Sequence, residues 1–176
     1  TRQPKFATRL DYEAPEGAYR LSFSGGFAGT EGIIHTGIGP FDMNRGTEPA
    51  EAGFRSWTWS RARTAAGTTI HYDVEERGGR RSGLAFTLRP DGTRAPAPAP
   101  PHVDLPPTLW RVARSVRSEA SARDIRTFED TPFYTRTAAT TVIGGAACAT
   151  VCESVDLDRF ASRWVQALLP FRMPRI

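Results

Sequence analysis

The stretch Phe41 to Asp73, FDMNRGTEPAEAGFRSWTWSRARTAAGTTIHYD, decides how this chain folds. It opens with a polar turn at Asp42-Met43-Asn44-Arg45-Gly46, passes Glu48-Pro49 and enters Phe54 to Arg61, where polar and apolar residues alternate as in a strand. Trp57 and Trp59, two of the four tryptophans, then share one face. After Thr64-Ala65-Ala66-Gly67 a second alternating run spans Thr68 to Glu75. Ile70, Tyr72 and Val74 lie on one side of it, Thr69, His71, Asp73 and Glu75 on the other. A hairpin follows, bringing two indoles near a histidine, a tyrosine and a carboxylate.

Strand signals continue on both sides. Residues 1 to 16 read as an irregular leading segment or linker, and residues 17 to 176 as one domain, a size that can bury a core unaided. The chain starts at Thr1 without a methionine, and the expectation is an N-terminal piece removed or not included. Alternation predicts strands at Ala18–Phe23, Gly32–Ile38, Leu84–Leu88, Leu109–Arg117, Asp124–Glu129 and Phe133–Val142, and Gly144-Gly145 predicts a hairpin turn into a returning strand from Cys148 to Val155. Between Ala95 and Pro107 the sequence APAPAPPHVDLPP reads as an external extended loop, because proline removes the backbone donor. A single helix is expected over 156–169. Asp156 or Asp158 would cap it, and its stripe of Leu157, Phe160, Trp164 and Leu168 would pack on the sheet, with Trp164 in the core. About eight to ten short strands closed by a helix predict an all-β, antiparallel, lipocalin- or calycin-like β-barrel, with an open sandwich as the competing fold.

Composition narrows the function classes. An apolar fraction of 39% with 24% charged residues describes a globular protein, and no apolar run approaches the roughly 18 residues that span a bilayer. The net charge of +4 is carried by arginine, Lys5 being the only lysine, and acids interrupt the arginines throughout. That pattern argues against nucleic acid as a partner and allows weak attraction to anionic membranes. Cys148 and Cys152 lie in a strand at a separation of roughly 13 Å, too far to pair, and neither Cys-x-x-Cys nor His-x-His spacing exists for a metal. No metal is expected.

Several motifs together resemble the carotenoid 1,2-hydratases, also called hydroxyneurosporene synthases, of a superfamily of paired lipocalin-like barrels. They are Asp42-x-Asn44-Arg45-Gly46-x-Glu48-Pro49, Phe54-x-x-Trp57-x-Trp59-Ser60-Arg61, Tyr72-Asp73, and Arg126-Thr127-x-Glu129-Asp130-x-Pro132-Phe133-Tyr134. The most specific is the ending Leu157-Asp158-Arg159-Phe160-x-x-x-Trp164-Val165-x-x-Leu168-Leu169-Pro170-Phe171-Arg172-Met173-Pro174. Family members are about twice as long, so the chain is similar to a C-terminal half and an N-terminal barrel is its expected partner.

The resemblance implies cofactor-independent addition of water to the terminal C1–C2 double bond of an acyclic carotenoid. Such an alkene is a poor base, so a strong acid must protonate it and a tertiary cation must be stabilised before water arrives. A buried carboxylic acid suits the first task and indole faces the second. Asp73 is the expected proton donor, Trp57 and Trp59 the cation stabilisers, His71 and Tyr72 the orienting groups, and Asp42, Asn44 and Arg45 substrate-binding residues. Adjacent strand residues face opposite ways, so the cavity set is either His71 with Asp73 or the apolar Ile70, Tyr72 and Val74. The plainer readings are packing for Trp-x-Trp and a self-bonded turn for Asp42 to Arg45. Two other functions fit such a barrel: a non-catalytic binder of apolar ligands, or a polyene cyclase. A membrane-dissolved polyene substrate places the protein at the cytoplasmic face of the bilayer, resting on it peripherally through an apolar rim.

Overall fold

In the computed structural model the described residues are 7–11, 18–24, 35–38, 50–91 and 93–169, the first three ranges as strand backbone. The strands β1 (Ala7–Asp11), β2 (Ala18–Ser24) and β3 (His35–Ile38) form an antiparallel sheet, β1 falling in the segment read as irregular. A short helix α1 (Ala50–Gly53) leads into the hairpin of β4 (Phe54–Thr64) and β5 (Gly67–Glu76). Then follow β6 (Arg81–Leu88), β7 (Arg94–Pro96), β8 (His102–Asp104), β9 (Ser115–Arg117), β10 (Arg123–Asp130), β11 (Tyr134–Ile143) and β12 (Ala146–Asp156). Seven of these make one antiparallel sheet in the order β10-β11-β12-β4-β5-β6-β7, and β8 pairs with β9 as a separate ribbon.

The all-β, antiparallel expectation holds, but the seven-stranded sheet is open and does not close into the expected barrel. Its two edges cannot join easily. On β7, Pro96 begins the run that includes Pro98, Pro100 and Pro101, none of which can donate to a ladder. On β10, the register slips twice against β11, and Asp124 takes a left-handed φ of 51°, so the edge is bulged.

The two faces of the sheet differ in chemistry. Register aligns Ser60 with His71 and with Cys152, Ala62 with Thr69 and with Thr150, and Thr137 with Cys152. This face of small and hydroxylated side chains is the tightly buried one. Its hydroxyls bond one another, Thr69 with Thr87 at 2.9 Å and Thr141 with Thr150 at 2.7 Å, so burial leaves no described side-chain polar atom without a partner. Small side chains let the covering layer approach closely. That layer is residues 97–118, the stretch read as an external loop followed by a long strand. Leu105 and Val116 pack on Cys152, the Leu105 amide donates to Arg114 O, and the Arg114 guanidinium reaches Thr127 and Thr137. Of the strand expected over Leu109–Arg117 only β9 forms, because Arg111 turns the chain with a φ of 52°.

At the C-terminal end the expected single helix is two, α2 (Leu157–Phe160) and α3 (Arg163–Leu168). Of the two caps expected, Asp156 or Asp158, it is Asp156 that caps α2, accepting from the Arg159 amide at 2.9 Å. Ser162 breaks the helix with an extended ψ of 141° and bonds back to Arg159 O. The break rotates the second segment. Leu157 and Val165 are buried, whereas Trp164 and Leu168, expected in the core, are 49% and 45% exposed.

Candidate active site

Asp73 sits on β5 between Thr58 of β4 and Gly83 of β6. Gly83 is needed there: a Cβ at that position would lie 2.6 Å from Asp73 Oδ1. With that space open, the carboxylate reaches the β8–β9 ribbon, where His102 and Arg117 are directly paired across the two strands. Arg117 binds Asp73 through two nitrogens, Nη2 to Oδ1 at 2.5 Å and Nε to Oδ2 at 3.1 Å, and donates through Nη1 to Pro100 O at 2.7 Å. His102 Nε2 lies 3.4 Å from Asp73 Oδ2, and its Nδ1 is 3.0 Å from Ser115 Oγ.

Burial pushes the Asp73 carboxyl up, yet the contacts from His102 and Arg117 and the guanidinium charge outweigh it and hold the group well below the usual carboxylate range. Of the two partners Arg117 is the stronger, being closer and bidentate. Asp73 is therefore an ionised carboxylate, where a protonated acid was expected.

Asp73, Gly83 and Arg117 line two cavities at once. One is a cleft of about 690 Å³ that also meets Trp57, His102 and Ser115; the other, of about 460 Å³, meets His71, Leu84 and Ala97. The ion pair is thus part of the wall between them. The first volume falls in the range of small-molecule sites.

The expected constellation is divided by strand alternation. His71 shares the buried face with Asp73, but its Nε2 is engaged by Pro98 O at 3.0 Å and its Nδ1 lies 3.4 Å from Ser60 Oγ. Burial lowers its pKa, which keeps it a neutral clamp on the covering layer. Trp57, Trp59 and Tyr72 belong to the opposite face, paired respectively with Val74, Tyr72 and Leu84. Among them Trp57 contributes to the cleft, whereas Trp59 and Tyr72 line neither cavity. Asp42, Asn44 and Arg45 lie outside the described residues. Sequence reading missed Arg117, His102 and Gly83. A histidine isolated within a proline run was the available signal, since an external loop has no use for one. Among the described residues no group of three or more His, Cys, Asp or Glu could hold a metal, and no helix is long and apolar enough to cross a membrane.

An antiparallel β protein with a charged group set in the wall of a ligand-sized cleft is a broad class, and sequence comparison narrows it. The chain belongs to the carotenoid hydratase CrtC family, which it matches over residues 28–176. It is 48% identical over 144 residues to the acyclic carotenoid 1,2-hydratase of Thiocapsa roseopersicina, covering 80% of this chain and 36% of that protein. The enzyme of the same name from Rubrivivax gelatinosus is 38% identical over 137 residues, 76% of this chain and 34% of the relative. That from Cereibacter sphaeroides is 34% identical over 148 residues, 83% and 53%. The chain thus spans about a third of the length of the first two relatives and about half of the third. No solved structure matches it.

Proposed function

We propose that this chain is the part of an acyclic carotenoid 1,2-hydratase that carries its acid, adding water across the terminal double bond of an acyclic polyene. The observation that carries the reading is the position of Asp73, a half-buried carboxylate in the wall of a cleft, in a chain of this family. Its ionised state is compatible with acid catalysis if the acid is made on substrate entry. Burial alone raises the Asp73 pKa, and only the donors from Arg117 and His102 reverse it. An apolar chain end that enters the cleft and loosens both the Arg117 and the His102 contacts leaves burial unopposed. The carboxyl then takes up a proton, from His102 Nε2 or from water, and delivers it to the less substituted alkene carbon. The tertiary cation at the other carbon is captured by water, which returns a proton to the carboxylate. No redox change is involved, so the reaction as written needs no cofactor. The substrate resides in a membrane, which places the enzyme peripherally at its cytoplasmic face, and the rest of a longer protein supplies the N-terminal partner.

The test is incubation of the purified chain and its Asp73→Asn variant with lycopene or neurosporene in detergent, followed by mass analysis for added water. Product from the native chain and none from the variant is expected. A variant that retains hydration overturns the role of Asp73. If both bind the polyene and neither hydrates it, the chain alone is a binding module.

A further inference from the structure

The turn before β9 and the face of α3 combine four exposed apolar side chains. Leu109 is 86% exposed and Trp110 38%, and beside them Trp164 is 49% and Leu168 45% exposed. Trp110 and Trp164 stack with ring centroids 6.1 Å apart at 26°, so turn and helix form one continuous patch. Two exposed indoles and two exposed leucines are a costly arrangement in water unless something covers them.

The patch is held outward by polar bonds at its base. Asp130 accepts from Thr108 Oγ1 at 2.7 Å and from the Trp110 amide at 3.4 Å, and Arg159 donates to Trp110 O at 2.5 Å and to Arg111 O at 3.1 Å. Arg111 turns the backbone with its left-handed φ. These bonds tie the Asp130 carboxylate to the base of the turn. The exposed arginines Arg111 and Arg163 adjoin Trp110 and Trp164 in the chain and flank the patch. Trp and Leu rimmed by arginine match the headgroup boundary of an anionic bilayer, where indoles settle and cations meet phosphate. Ala113 and Arg114, next along the chain, line the cleft that holds Asp73.

We propose that Leu109, Trp110, Trp164 and Leu168, with Arg111 and Arg163, form a docking surface for anionic lipid bilayers and set the neighbouring cleft against the membrane. The surface stands on its own geometry. Its purpose, drawing a polyene from lipid into the cleft, rests on the function proposed above.

The experiment is flotation of the full chain with vesicles of phosphatidylcholine alone and of phosphatidylcholine with about a quarter phosphatidylglycerol, without carotenoid. Binding to the anionic vesicles that weakens at high salt is expected. The double variant Leu109→Ser/Trp110→Ser, at positions already exposed, should lower the bound fraction about tenfold on anionic vesicles. Arg111→Ala with Arg163→Ala should lower it by a similar factor, on anionic vesicles alone. Unchanged urea unfolding confirms that the variants fold. Absence of binding, or binding indifferent to all four changes, overturns the proposal. So does self-association in solution that the same changes abolish, which would assign the patch to a second copy. Hydration of detergent-dispersed polyene, measured in parallel, separates the two readings. Vesicle binding without hydration removes the enzyme assignment and leaves the docking surface, and the reverse removes only the surface.

Discussion

A carboxylate between a guanidinium and an imidazole is the chemical centre of this molecule at the scale of single residues. Asp73 and Arg117 are both largely shielded, with side chains 18% and 19% exposed, so neither loses its partner without consequence. Removing the cation leaves a charge that water reaches poorly. Arg117→Ala is expected to lower unfolding free energy by about 2 kcal/mol at neutral pH, discounted from a fully buried pair for residual solvent. The pH dependence has a definite sign. Because the folded-state pKa of Asp73 is depressed, the pair stabilises fully above the ordinary carboxylate value near about 4. It stops stabilising as pH falls through the depressed one. Urea titrations of both proteins at neutral and acidic pH should therefore differ at the former and converge at the latter. A constant difference would show that Arg117 acts through packing instead. None of this was visible in the sequence, where Asp73 and Arg117 are 44 positions apart and nothing local links them.

At the scale of elements the hairpins carry the framework, and their turns were the legible part. Gly144 and Gly145 adopt φ of 60° and 75°, the left-handed pair a two-residue turn requires, and their amides donate to the Glu119 carboxylate at 2.7 and 2.8 Å. Gly67, which starts β5, is more constrained. Its φ is 133°, and a Cβ would lie 2.2 Å from the backbone oxygen of Leu88 on β6. Gly67→Ala should cost about 3 kcal/mol, because neither the backbone conformation nor the neighbouring strand can yield cheaply. By contrast, Gly78 has open space around its Cβ direction and no unusual φ, so Gly78→Ala should be neutral within about 0.5 kcal/mol. Thermal or urea unfolding of the two variants measures the contrast, and equal effects would refute the geometry at Gly67. The terminal helix was read less well. An aspartate cap was recognisable from local chemistry, with Asp156 and Asp158 both eligible, but the interruption at Ser162 replaced one stripe by two short helices with different faces.

At the scale of the whole molecule, stability is graded from the middle of the large sheet outward. Strands β12, β4 and β5 each have a ladder on both sides, while β10 and β7 have one. The hydroxyl-rich face of the middle strands lies under the covering layer, clamped by Pro98 O on His71 and Pro100 O on Arg117. Native-state hydrogen exchange should find the slowest amides in β4, β5 and β12 and the fastest in β7 and β10. Protection at the two edges as strong as in the middle strands would argue that the edges are joined in solution, as in the closed barrel first expected. The covering layer itself is a product of length: only a chain segment some distance from β5 can fold back over it.

The sequence by itself determined the local periodicities and stops: the alternating β4–β5 pair, the Gly-Gly turn, an aspartate cap at the start of the terminal helix, and the motifs that mark the family. Each depends on neighbours within a few positions, which the order of residues states directly. Only the tertiary structure decided that the sheet stays open and that a proline-rich stretch covers it. It alone decided that Asp73 is ionised by Arg117 and His102, and that Trp110 and Trp164 meet at the surface. Those outcomes rest on contacts between segments remote in sequence, where burial and charge are set by what arrives opposite a side chain.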